Sequence, residues 1–245
     1  MPVAQVQQLE IDAPIARQIR HALRERIICN DLAPGQKISE SEMAAQYRTS
    51  RQPVREAFIG LAAEGLVAIL PQRGTRISQI NQVAVHEARF VREAVESDIV
   101  RVLAQTPGTV DLDGLRALVE EQGRIPDGDP TQFIGADELF HRALAEAAGK
   151  AGLWSRVEGL KAQMDRVRFL SLSQFPTAKL VAQHGEIVEA IAAGAPYRAE
   201  SAMRRHLREV LVDLPQIVRA NPEFFDAAPD GAAARTVTIR GGETR

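Results

Sequence analysis

Asp137 and His141 stand four residues apart in ADELFHRALAEA, so both project from one face of a helix. That face also carries Phe133, Phe140 and Leu144, which turns the pair inward. His184 sits among Leu180, Ile187, Val188 and Ile191, and His206 shares a face with Ala199, Met203 and Val210. Three of the five histidines and one aspartate thus lie on apolar stripes of three different helices. A buried carboxylate is costly unless it is paired. If the four groups converge, a divalent cation resolves that cost. Imidazole and carboxylate ligands suit Zn, Ni, Mn, Co or Fe, and such a set leaves coordination positions for water or an anion. The ordinary alternative is a set of hydrogen-bonded core histidines. His21 and His86 carry no role that the pattern assigns.

A second set of groups lies in SRQPVREAFIGLAAEGL. On a helical wheel Val54, Ala57 and Leu61 form the core stripe. Arg51, Gln52 and Arg55 fall on its shoulder near the helix N-terminus, where a recognition helix places base and phosphate contacts. Ser50 is the expected N-cap, and exposed N–H groups there suit a phosphate. Arg73 and Gly74 occupy the tip of a hairpin, where an arginine can reach a minor groove or the backbone. Residues 48 to 76 hold five arginines against two glutamates, a local net of +3.

The elements that must position these groups follow from periodicity. Ile15, Ile19, Leu23 and Ile27 recur at i, i+4 spacing, an amphipathic helix with Pro14 at its start. Pro34-Gly35 marks a turn, and Ser39 with Glu42 has capping-box spacing for a second, short helix. The third helix runs from Ser50 to about Glu64, with Gly65 as its stop. Residues 66 to 70 and 75 to 77 read as strands joined by Pro71-Gln72-Arg73-Gly74. The spacing then predicts six helices near 82–104, 111–123, 131–148, 152–173, 176–194 and 196–219, with Gly/Pro breaks between them. Short breaks imply antiparallel neighbours in a bundle. The fold class is therefore mainly α. Residues 1–80 form a winged helix-turn-helix with a small β-hairpin wing, 81–222 an all-helical bundle, and 223–245 a tail read as disordered.

Composition narrows the function. The 245 residues carry a net charge of −2, which by itself argues against a nucleic-acid binder. Split by segment, residues 1–80 hold ten Lys/Arg and eight Asp/Glu, while the remainder holds 20 and 24. A basic head is joined to an acidic bundle. No stretch approaches the ~20 apolar residues of a membrane helix. The single Cys29 and the lack of a signal-peptide pattern fit a reducing cytoplasm. No GxGxxG, GxxxxGK[ST] or GxSxG occurs.

The segment LAPGQKISESEMAAQYRTSRQPVREAFIGLAAEGLVAILPQRGTRIS resembles the DNA-binding domain of GntR-family bacterial transcription regulators. The PG turn, the SRxPVREA helix, the EGLV strand entry and the RG wing carry the likeness. The resemblance implies DNA contacts from Lys37, Ser41, Ser50, Arg51, Gln52, Arg55, Arg73 and Gly74; Ser41 stands where the best-known members have arginine. Residues 82 to 215 are similar to the FCD effector domain of FadR-type members, in the shorter, six-helix subgroup. That resemblance implies a metal held by Asp137, His141, His184 and His206, and a small carboxylate or sugar acid as effector. Arg92 lies on an apolar stripe of its helix with Arg89 at the shoulder. Either Arg92 pairs with Glu96 at i, i+4, or it grips the effector carboxylate together with Arg89.

The combined expectation is a non-enzymatic, ligand-responsive repressor that binds a near-palindromic operator in double-stranded DNA as a cytoplasmic homodimer. Two alternatives stay open on the residues alone. A metalloenzyme acting on organic acids would use the same ligands, although no general base stands beside them. In a metal sensor the cation itself would be the signal.

Overall fold

The computed structural model describes residues 13–226. The head begins with α1 (Ile15–Ile28), followed by β1 (Lys37–Ile38), α2 (Glu40–Gln46) and α3 (Arg51–Ala63). The wing is β2 (Val67–Leu70) and β3 (Gly74–Ile77). Ser39 accepts a hydrogen bond from the Glu42 N–H at 3.1 Å, which caps α2 as the sequence predicts. Gly65, at φ +71°, ends α3: its own N–H bonds Ala62 O, and the next N–H, Leu66, bonds Leu61 O. Ile19, Leu23, Ile27, Val54, Phe58 and Leu61 are all at most 1% exposed and form the head's core. Cutting Leu61 back to alanine is expected to lower unfolding stability by about 2–5 kcal/mol, as measured by denaturant titration.

The wing is larger than the expected hairpin. β1 pairs antiparallel with β3, giving a three-stranded sheet in the order β1-β3-β2. The register sets Leu70 opposite Gly74, so Pro71, Gln72 and Arg73 form the turn. Gln72 and Gly74 both take positive φ there, +58° and +81°.

The body contains seven helices among the described residues: α4 (Gln82–Leu103), α5 (Leu112–Arg124), α6 (Pro130–Ala147), α7 (Ala151–Leu160), α8 (Ala162–Leu172), α9 (Ala178–Ala192) and α10 (Pro196–Ala220). The helix expected over 152–173 is broken at Lys161, which adopts φ −87° and ψ 0°. The two halves serve different neighbours. α7 packs on α4 and α6, whereas α8 packs on α4, α10, α6 and α1 of the head. Every residue from Lys161 to Arg168 is buried, so apolar periodicity carried no sign of the break.

Part of the region expected to be a tail is ordered. Phe225 is 4% exposed and forms a parallel bridge with Ile80, and Asn81 Nδ2 donates to Asp226 at 2.8 Å. Residues 227–245 lie outside the described residues. Among the described residues no helix is long and apolar enough to cross a membrane.

Candidate metal centre and nucleic-acid interface

α6 supplies Asp137 and His141, α9 supplies His184, and α10 supplies His206. The four offer ligand atoms that all lie within 4.8 Å of one another, and all four residues are buried. His184 Nε2 is 3.1 Å from His206 Nε2, which is 3.2 Å from His141 Nε2. Asp137 approaches His141 and His184 Nε2 at 3.6 Å each.

The distal ring nitrogens decide what those Nε2 atoms can do. His184 Nδ1 donates to Gln122 Oε1 at 2.6 Å, and His206 Nδ1 donates to Gln183 Oε1 at 3.1 Å. His141 Nδ1 stands 2.6 Å from the Glu96 carboxylate. With the His184 and His206 protons held on Nδ1 by the two glutamine oxygens, their Nε2 lone pairs face His141 Nε2 and the Asp137 carboxylate. Burial, against the opposing pull of Asp137, pushes His184 down to about 3, and burial with the facing histidines pushes His206 well below the imidazole range, so neither resolves the crowding by protonation. Both Asp137 oxygens are buried without a well-aligned hydrogen bond.

A divalent cation fits this arrangement. Two donors at metal–ligand distance from one ion stand roughly 3.0–3.5 Å apart, which matches the 3.1 and 3.2 Å between the histidine nitrogens, with the 3.6 Å approaches of Asp137 just outside. The donor set is that of a borderline transition metal. The cation would supply positive charge and an open position for an anion.

One arginine escaped the sequence pattern. Arg168, from α8, places Nη2 at 2.7 Å from Asp137 Oδ1. Burial alone would raise the Asp137 carboxyl, but the Arg168 guanidinium, the largest opposing influence, holds it well below its usual range. Gln122 and Gln183 were missed as well. Gln183 precedes His184 directly, and a glutamine beside a buried histidine is the one signal that could have found it.

Arg92 and Arg89 are placed apart. Arg92 is 4% exposed and donates from Nε to Glu96 at 2.6 Å. It also lines a cavity with Arg168, Ser171, His206, Glu209 and Asp213. Arg89 does not line that cavity. It joins Arg204 and Arg208 around the Glu93 carboxylate, tying α4 to α10. Arg208 first, with Arg89 and Arg204, holds Glu93 down at about 2. A carboxyl depressed in the fold stabilises fully above its unfolded value of about 4.3 and loses that contribution as pH falls towards 2. Urea unfolding between pH 5 and pH 2.5 is therefore expected to show a shallower acid loss in Glu93→Gln than in the parent.

The eight candidate DNA contacts in the head are all exposed. Arg55 donates to Glu40 from Nε at 2.8 Å and from Nη2 at 3.1 Å, and Arg51 Nη2 donates to the same carboxylate at 3.0 Å. Gln52 bonds Glu56. Ser50 occupies the N-cap position of α3, but its hydroxyl makes no cap bond. It is left to meet another acceptor or donor. Lys37 is on β1, Ser41 contacts Ser39, and Arg73 and Gly74 close the wing turn.

The sequence profile of the gntR family of bacterial regulatory proteins matches residues 15–77, and that of the FCD domain matches residues 87–209. The chain is 40% identical over 225 residues to an uncharacterized HTH-type transcriptional regulator in an unstable DNA locus of Streptomyces ambofaciens, covering 91% of this chain and 93% of that one. It is 34% identical over 220 residues to the HTH-type transcriptional repressor RspR of Escherichia coli, covering 89% and 96%. The solved structure of McbR/YncC from E. coli shares the fold at a TM-score of 0.70 and 20% identity, covering 83% of this chain and 98% of that one. The chain belongs to the GntR family of bacterial regulatory proteins, as a DNA-binding transcription regulator with a winged helix-turn-helix head and an FCD body.

Proposed function

We propose that this regulator is a homodimeric, cytoplasmic repressor whose body senses a small carboxylate or sugar acid beside a divalent cation. The observation that carries the proposal is the convergence of three histidine Nε2 atoms and the buried Asp137 carboxylate, next to a cavity lined by two arginines. Asp137, His141, His184 and His206 hold the cation. Arg168 and Arg92 flank the cavity, and the planar guanidinium fork suits a carboxylate. Arg89 stands with Glu93 and takes no part in this grip. Relatedness to a protein named as a repressor supports the direction of regulation.

Lys37, Ser41, Ser50, Arg51, Gln52, Arg55, Arg73 and Gly74 make the DNA contacts. One α3 reads one half-site, so two copies read a near-palindrome. The effector must bind the DNA-bound and free forms with different affinity, or it shifts nothing. The proposal is tested by selecting an operator fragment from a random pool and titrating it with metal-loaded protein against a panel of hydroxy, sugar and dicarboxylic acids. At least one acid is expected to weaken operator binding in the parent and to have no effect on Arg168→Ala. No response to any acid, with metal bound, contradicts the sensing role.

A further inference from the structure

α8 touches both ends of the molecule. Met164, Arg168 and Ser171 recur at i, i+4, i+7 and line the cavity beside the histidine cluster. Arg168 reaches Asp137 inside that cluster. The other side of α8 holds the head. Arg24 Nη2, from α1, donates to Asp165 at 3.1 Å while its Nε donates to Glu64 at the end of α3. Gln163 Nε2 donates to Gly65 O at 2.7 Å, just past α3. Arg166 Nη1 donates to Ser78 O at 2.9 Å, just past β3. Ala162 is packed into the head's own hydrophobic core.

These contacts make a joint of a few specific polar pairings and one packed alanine. Arg166 is fully buried, and its Nε and Nη2 find no partner. Burial pushes it down to about 10, with no carboxylate to offset the loss of water. Asp165 is shared between Arg24 and Lys161, whose Nζ donates to it at 2.8 Å. A shift of α8 therefore strains its pairings to the head and to Asp137 together, because one helix carries both sets.

We infer that α8 is the transmission element of this regulator, with Arg168 coupling it to the sensing site and Gln163, Asp165 and Arg166 locking it to the DNA-binding head. Occupancy of the site is thereby converted into how firmly the head is held. This inference rests on the proposed sensing role of the body.

The chain carries its own reporter. Cys29 is the only cysteine, and its Sγ stands 3.6 Å from Thr131 Oγ1 of α6, across the seam between head and body. Its labelling rate with a disulfide reagent follows opening of that seam. The experiment uses the full chain, with Zn²⁺ as the probe and chelator-treated protein as the reference. Arg24→Gln and Gln163→Ala are expected to label about five-fold faster or more than the parent while keeping parental circular dichroism. Zn²⁺ is expected to change the parental rate by about three-fold or more and the variant rates by less than about half that. Parental labelling rates in both variants overturn the lock. A Zn²⁺ response of parental size in both variants, or Zn²⁺ that binds the parent without changing its rate, overturns the coupling. Equilibrium dialysis runs alongside. A parent that binds no Zn²⁺ refutes the metal site itself, and the basal rates then decide the lock alone.

Discussion

Alanine at His184 is expected to lower the affinity for a divalent cation by about 100-fold or more, because it removes one of four converging donors and frees Gln122 from its histidine. Gln122→Ala is the sharper test of the local design. It leaves all four converging side chains in place and removes the acceptor that holds the proton on His184 Nδ1, together with the Nε2 donor to Ala136 O. The expected loss is about 10- to 100-fold in metal affinity, with Gln122→Glu recovering most of it, since a carboxylate accepts the same hydrogen bond. Equilibrium dialysis with Zn²⁺ measures both. The cation should also raise thermal stability in the parent, because binding to the folded state alone shifts unfolding by mass action. That shift should vanish in His184→Ala. If His184→Ala bound metal as the parent does, the convergence would be a hydrogen-bonded core and nothing more.

The second large effect is expected at the recognition helix. Arg55→Ala should weaken operator binding by about 1–3 kcal/mol, or roughly 10- to 100-fold, if the side chain reads a base edge. If it meets a phosphate, the loss is uniform across sequences, and the slope of affinity against salt falls by about one unit. The structure adds a constraint that sequence alone did not supply. Arg51 and Arg55 both spend their guanidinium groups on Glu40, the first residue of α2. DNA must compete with that carboxylate. Glu40→Gln is therefore expected to tighten binding at low salt, the opposite sign to Arg55→Ala, as measured by gel-shift titration across salt. Equal affinities for all three proteins would remove α3 as the reader.

How much of this was legible beforehand depends on which physical signal each feature leaves. The four converging residues were legible as buried polar groups because a polar group on an apolar stripe stands out: Asp137 and His141 at i, i+4, and His184 and His206 among Ile, Val and Met. Their meeting in space was not legible, since no spacing rule joins α6, α9 and α10. The head was legible through caps and turns, Ser39 with Glu42 and then Gly65, because those residues act locally. β1 was not. It is two residues long, and only its pairing with β3 defines it.

α8 shows the limit most clearly. A helix wholly enclosed by protein presents no polar face, so KAQMDRVRF gave no periodic signal and its break from α7 went unseen. The same enclosure hides its four charged or amide side chains, Gln163, Asp165, Arg166 and Arg168. Each acts through a partner far along the chain, on α1, Gly65, Ser78 or Asp137. Arg89 shows the converse. Its place on the shoulder of the Arg92 stripe suggested a shared ligand, but Glu93, four residues along, sits beneath it and claims the guanidinium.

The most direct test of the central claim is a crystal structure of the full chain, grown with Zn²⁺ and measured on both sides of the zinc absorption edge. The account expects one anomalous peak per chain, within about 2.0–2.2 Å of a carboxylate oxygen of Asp137 and the Nε2 atoms of His141, His184 and His206. Density without a metal peak there, with the three rings hydrogen-bonded to one another, would contradict it.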